Sequence, residues 1–361
     1  MTTQPESEGF PLKLHHPGDV LAAVPFVLGF EPANSLVAIS LKGRRQRVGL
    51  VMRTDYPSKL DLEVFKFAAL NMITHLQRDH ARGVILVSYP PVTVELQEDR
   101  PVDEALEILE KAAEESGIPV REALIVIDRR WWSIKCKDER CCPIAGTPVV
   151  DLAKSRVAAE VVVRGGPMPF ANEEGLVASL SHQDSLLAQC LAQAIEDRVE
   201  QLLARTTKDE IQEIRRTQLT ALDECYSIWC HSECSTQVFA GRLELLADVV
   251  IGVQTVMLRD YALGIHSEET LEQAVALWRW LLTLIPEGTV APIACLAAAT
   301  AYESGDGAMA QRALDRAFLD SPEYSLAHLL RRVFTAGFSP GTFAQMRQDL
   351  HSEIAGELRA S

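Results

Sequence analysis

Cys136, Cys141 and Cys142 lie in RWWSIKCKDERCCPIAGTPV, residues 130–149, as a C-x4-C-C cluster. Three kinds of chemistry suit that cluster: metal ligation, thiolate reactivity and the packing of an ordered loop. The thiolate is the form that binds soft cations and attacks electrophiles, and Lys137 and Arg140 in the spacer favour it. Zinc wants four donors at tetrahedral corners, usually as two chelating pairs with two to four residues between their members. Here the spacing departs from that pattern, adjacent cysteines chelate one ion poorly, and the spacer KDER holds no histidine. Three alternatives stay open. They are a metal site completed from elsewhere, a labile Cys136–Cys141 disulfide or reactive thiolate, and small apolar side chains tying down a loop.

A second cluster, Cys225 with Cys230, His231 and Cys234, reads C-x4-C-H-x2-C and is a weaker ligand candidate. Cys225 falls on an apolar stripe with Ile211, Ile214, Leu222 and Trp229, which makes it a core residue. The carboxyl ends of parallel strands are the third place to look, because open α/β sheets bind ligands there. Ser88 follows the apolar run GVILV, and Asp128 and Arg129 follow ALIVI, so the three are expected to share one rim if those strands are parallel neighbours. The plainer reading is that Asp and Arg mark where the strands reach water. There is no G-x-S-x-G, G-x4-G-K-[ST], strand-linked G-x-G-x-x-G or H-E-x-x-H, so no catalytic residue is assigned and no cofactor is expected.

The elements that must position these residues follow from hydrophobic period. From residue 14 to 165 helical and strand-like patterns alternate. Pro17 opens a short helix whose apolar face is Val20, Leu21, Val24 and Leu28, and Gly29 with Pro32 ends it. Two apolar runs around KGRRQR, with Gly43 in the bend, predict a hairpin with a solvated basic loop. Leu62 to Leu76 and Val102 to Glu115 are amphipathic, while residues 83–89 and 122–128 are buried-strand runs, the latter followed by a return through WWSIKC. The predicted order is β-β-α-β-α-β-β after the first helix, in a mixed sheet that is parallel at its centre.

Beyond residue 183 the strand pattern stops. Thr207 and Glu210 form a capping box, and Asp184 is placed to cap the preceding helix. Ala274, Trp278, Leu281 and Pro286 recur 36 residues later as Ala310, Leu314, Ala317 and Pro322. The spacing resembles the second helix of a tetratricopeptide repeat, although an irregular helical bundle fits as well. The expected organisation is a disordered segment 1–13, an α/β domain 14–165, a linker 166–182 and an all-α, tetratricopeptide-like helical hairpin domain 183–355.

The 361 residues are 47% hydrophobic, enough for ordinary cores, so the stability of two domains does not depend on cross-links. Eight cysteines are too few for a disulfide scaffold, and the first ten residues have neither the basic start nor the apolar core of a signal peptide. No apolar run approaches the ~18 residues of a membrane span. A cytoplasmic protein with reduced thiols is expected. The net charge of -15 opposes nucleic acid and anionic membranes as partners, and the basic run 42–47 is the one local exception.

PGDVLAAVPFVLGFEPANSLVAISL, the tryptophan- and cysteine-bearing stretch 130–149, SRVAAEVVVRGG and ESGDGAMAQRALDRAFLDSPEYSLAHLL together resemble an actinobacterial family known as domain of unknown function 4192. The resemblance runs from about Leu14 to about Phe338. It implies a cytoplasmic actinobacterial protein and no reaction. The expected function is a protein-protein interaction module that holds a peptide or partner helix in its helical half. The competing expectations are a small-molecule enzyme or sensor at the Ser88, Asp128 and Arg129 rim, and a thiol or metal protein.

Overall fold

In the computed structural model the chain is described at residues 16–44, 46–91, 96–97, 100–163, 167–205 and 207–360. The segment 1–13, Arg45 and the last residues of the SRVAAEVVVRGG motif lie outside the described residues. Two compact units divide the chain at Glu173 and Glu174.

Unit one begins with α1 (Pro17–Leu28), whose entry is fixed by Pro17 and by the His16 ring, which accepts from the Gly18 amide at 3.1 Å. Gly29 ends it at φ 76, a conformation that costs a glycine nothing. Pro25 sits inside α1, where it removes one rung of the hydrogen-bond ladder, yet the helix continues to Leu28. Next come β1 (Ser35–Lys42), β2 (Arg47–Asp55), α2 (Leu62–Arg78), β3 (Gly83–Tyr89) and a two-stranded ribbon of β4 (Leu96–Gln97) and β5 (Arg100–Pro101). The unit continues through α3 (Glu104–Glu115), β6 (Val120–Ile127), β7 (Arg130–Ser133), β8 (Thr147–Pro148) and α4 (Arg156–Val163).

The six-stranded sheet runs β2-β1-β3-β6-β7-β8, and the β3–β6 pair alone is parallel, so the mixed sheet with a parallel centre is as expected. The ribbon and β8 were not legible as strands, because two-residue ladders leave no period to read. β1 and β3 are buried along almost their whole length, which is why they read as continuous apolar runs. On one face Leu36, Ala38, Leu86 and Ile125 meet Phe65, Ile73 and Leu76 of α2 and Leu106 and Leu109 of α3. Fully burying each Leu, Ile or Phe contributes roughly 1.5–3 kcal/mol, so this layer holds the strands in register. Ala22 and Ala23 of α1 pack with Val157 and Val161 of α4 in a second cluster.

The short α5 (Glu173–Ala178) is followed in unit two by α6 (Leu186–Leu203), α7 (Lys208–His231), α8 (Leu243–Gly252), α9 (Val256–Leu263) and α10 (Leu271–Leu284). Then come α11 (Val290–Glu303), α12 (Gly307–Asp320), α13 (Ser325–Thr335) and α14 (Pro340–Ala360). The Thr207–Glu210 capping box forms on both sides. Ser185, rather than Asp184, caps α6, because its hydroxyl sits at the position that reaches the Ala188 amide (3.2 Å), while Asp184 accepts from Gln189. Ala274, Trp278 and Leu281 of α10 and Ala310, Leu314 and Ala317 of α12 are all fully buried, and Pro286 and Pro322 stand two residues past their helix ends. Asp320, at the end of α12, accepts from the amides of Gly288, Val290 and Ala291 and so caps α11. Arg347 fastens α14 by two hydrogen bonds to buried Glu303, at 2.8 and 3.0 Å.

Candidate functional site

Trp131 and Trp132 set the frame for the cysteine loop. Trp131 is buried, pairs with Val126 and meets the His16 ring edge-on at 5.7 Å. Trp132 lies over the returning chain, where its indole N–H donates to the Ile144 carbonyl at 2.8 Å. Arg130 donates to the carbonyls of Ala145 and Gly146, and Val149 donates to Arg129 at 2.7 Å. Both ends of the loop are thereby tied to the sheet.

Within the loop, the Cys136 amide donates to the Ser133 hydroxyl, which itself donates to Glu122 at 2.6 Å. The Asp138 carbonyl accepts from the amides of Cys141 (3.0 Å) and Cys142 (2.7 Å), closing a tight turn that Arg140 braces by pairing with the Asp138 carboxylate. That turn overcomes the awkward sequence spacing. The three Sγ atoms lie within 4.8 Å of one another, and Cys141 and Cys142 are 3.9 Å apart at sulfur. No other group of three or more His, Cys, Asp or Glu donors among the described residues is gathered this closely.

Cys136 and Cys142 are electrostatically unequal. Cys136 is held below its ordinary value, first by the Asp138 backbone amide and then by the Cys142 thiol. Cys142, the buried member, is pushed up to about 12 by burial and by hydrogen bonding to its two neighbours. Cys136 is therefore the more readily ionised of the two, and the Cys142 thiol is hydrogen-bonded to it. A cation among them would favour the thiolate at all three, since a coordinating thiol gives up its proton.

The second cysteine cluster is dispersed. Cys225 is fully buried and raised to about 12 by that burial, in keeping with a core residue. Leu222 and Trp229 share its buried face, whereas Ile211, one turn from the start of α7, is exposed. Cys230 is raised by burial, and the exposed His231 bonds back to the Ser227 carbonyl at 2.7 Å. Cys234 follows the helix end at φ 62, with its amide donating back to the Trp229 carbonyl at 3.0 Å.

At the sheet rim, β3 and β6 are parallel neighbours as expected. Ser88 is fully buried and donates to Asp103, while Asp128 and Arg129 form the exposed β6–β7 turn at φ 48 and 59, the positive values a two-residue hairpin uses. Asp103 is the residue that sequence reading missed here. It caps α3 through the Leu106 amide (2.9 Å) and also accepts from the Tyr56 hydroxyl at 2.9 Å. Its N-cap position before an amphipathic helix was the available signal.

A family model described as "Domain of unknown function (DUF4192)" matches residues 17–341. No curated protein and no solved structure matches the chain.

Proposed function

We propose that this chain, which belongs to the DUF4192 family of domains of unknown function, binds a soft or borderline metal cation through Cys136, Cys141 and Cys142. The observation that carries the reading is the sulfur geometry. With Zn–S bonds of about 2.3 Å, neighbouring thiolates on one tetrahedral ion stand about 3.8 Å apart. The 3.9 Å between the sulfurs of Cys141 and Cys142 suits that edge, and the third sulfur is within reach of both. Three thiolates suit Zn(II), with a fourth position left to water or an external donor, or Cu(I). Such a site needs a reducing compartment, which agrees with a cytoplasmic location. No helix among the described residues is long and apolar enough to cross a membrane.

Anaerobic titration of the reduced full chain with Zn(II) and with Cu(I), each against a competing chelator, tests this. One ion per chain is expected, with binding lost in Cys136→Ser and Cys141→Ser and a cobalt(II) form showing sulfur-to-metal charge-transfer absorption. A folded chain whose three thiols titrate freely in the presence of either ion would overturn the reading.

A second reading concerns the helical unit, as a module that binds a peptide or partner helix. It is favoured by the recurrence of buried Ala274, Trp278 and Leu281 as Ala310, Leu314 and Ala317. Capture from native lysate by the full chain tests it. The same partner must be lost when exposed Leu319, Leu329 and Phe338 are changed to serine, and unchanged recovery counts against it.

A further inference from the structure

At the end of the sheet where β3 and β6 begin, three exposed arginines line one open depression of about 470 Å³. Arg44 comes from the β1–β2 turn, Arg82 from the residue before β3 and Arg121 from the start of β6. Strand register brings them together, because Leu41 pairs with Gly83 and Val84 with Val120. Among the described residues no Asp or Glu lines the depression, whose remaining wall includes Leu41, Ala81 and Pro119. None of the three arginines takes part in an ion pair among the described residues. In a chain of net charge -15 such a concentration of unneutralised positive charge is the exception to be explained.

Two structural details bear on that explanation. The C-terminal ends of α2 and α3 open toward the same end of the sheet and supply partial negative charge. Each amounts to roughly half an elementary charge, so together they offset about one guanidinium of three. In the last turns the carbonyls of Leu76 and Gln77 already accept from the amides of Ala81 and His80, and those of Ala113 and Glu114 from Ile118 and Gly117. The second detail is Gly83, where a Cβ would stand 2.9 Å from Cγ and 3.0 Å from Nε of Arg121. The glycine lets the Arg121 stem lie flat across the strand, and that aims its planar fork from a fixed base.

We infer that this depression is a binding site for a small phosphorylated anion, recognised through a diphosphate or a pair of phosphate groups. Three guanidinium forks, each able to bind two oxygens, offer more donors than one phosphate has acceptors, and a diphosphate matches them. Among the described residues no aromatic ring lines the depression, so recognition centres on phosphate rather than on a stacked base. A long nucleic-acid backbone would also meet the repulsion of the acidic remainder of the chain, while a small anion meets only the local field. The site is independent of the cysteine loop and stands or falls separately.

Calorimetric titration of the full, reduced chain with inorganic pyrophosphate, with inorganic phosphate and with a DNA duplex tests the proposal. Pyrophosphate should bind one to one, more tightly than phosphate and more weakly as salt rises. Arg82→Gln and Arg121→Gln should each weaken it by about tenfold or more. Gly83→Ala should weaken it with no change of charge, while Lys111→Gln on the exposed face of α3 leaves it unchanged. Circular dichroism confirms that each variant is folded. Absence of pyrophosphate binding at low salt by the folded wild type overturns the proposal. So does retention of affinity within about twofold by the Arg82→Gln/Arg121→Gln double variant, or DNA binding that pyrophosphate does not displace.

Discussion

Gly146 lies against the indole of Trp132 so closely that a Cβ at residue 146 would stand 2.5 Å from Cζ2 and 2.6 Å from Cε2. The same residue has a φ of +71, a backbone region that side chains with a Cβ enter at a cost. Gly146→Ala is therefore penalised twice and is expected to destabilise the chain by about 2 kcal/mol or more. Urea unfolding followed by circular dichroism measures the loss. Because Trp132 also anchors Ile144, the variant should lower metal affinity at the cysteine loop in the chelator competition.

Labelling order reads the inequality of the thiols. Near neutral pH, a limiting amount of iodoacetamide should modify Cys136 well before Cys142. Cys225 and Cys295, both raised to about 12 by burial, should react only after denaturation. Peptide mass mapping gives the order directly, and equal labelling of Cys136 and Cys142 would contradict the geometry.

Stability should fall at alkaline pH for the same reason. Cys142, Cys225 and Cys295 are raised from an ordinary 9.0 to about 12, so the folded state favours their neutral thiols. That preference is fully present below pH 9.0 and is lost as pH rises toward 12, because the unfolded chain ionises first. The urea midpoint should decline through that window, and Cys225→Ala should flatten the decline.

Asp103→Ala removes three interactions at once: the α3 cap, the Tyr56 hydroxyl bond and the acceptor for buried Ser88. A lost cap costs about 1 kcal/mol, and an orphaned buried hydroxyl adds roughly 1–3 kcal/mol. The expected total is about 2–4 kcal/mol by denaturant unfolding. Asp103→Asn, which can still cap, should recover part of it.

Glu303→Ala leaves Arg347 buried without its carboxylate and should cost about 3–5 kcal/mol, with faster proteolysis within α14. Burial alone would raise the Glu303 carboxyl, but hydrogen bonds from His266 and Arg347 outweigh it and hold the group below its ordinary 4.5. Its contribution is present above that value and is lost as pH falls below it, so α14 should become protease-sensitive on acidification.

The sequence disclosed most where a local rule acts alone. Pro17 and Gly29 bounded a helix, Thr207 with Glu210 started another, and the apolar runs at 83–89 and 122–128 were parallel neighbours. It disclosed least where distant backbone decides. Cys141 and Cys142 look mismatched in one dimension, and only the turn closed on the Asp138 carbonyl brings both sulfurs beside Cys136. Arg44, Arg82 and Arg121 are about forty residues apart, and strand register alone makes them neighbours. Ser88 was visible as a strand-end hydroxyl, but its engagement by Asp103 depends on where α3 begins.

The fastenings of the cysteine loop, from Ser133 under Cys136 to Trp132 over Gly146, come from the protein's own groups. Zinc fingers draw their folding from the ion, and a chelator unfolds them. Here hydrogen bonds and packing within the chain hold the loop, so a chelator is expected to remove the ion and leave the fold in place. Such a site can equilibrate with a changing metal supply while the rest of the chain keeps its shape.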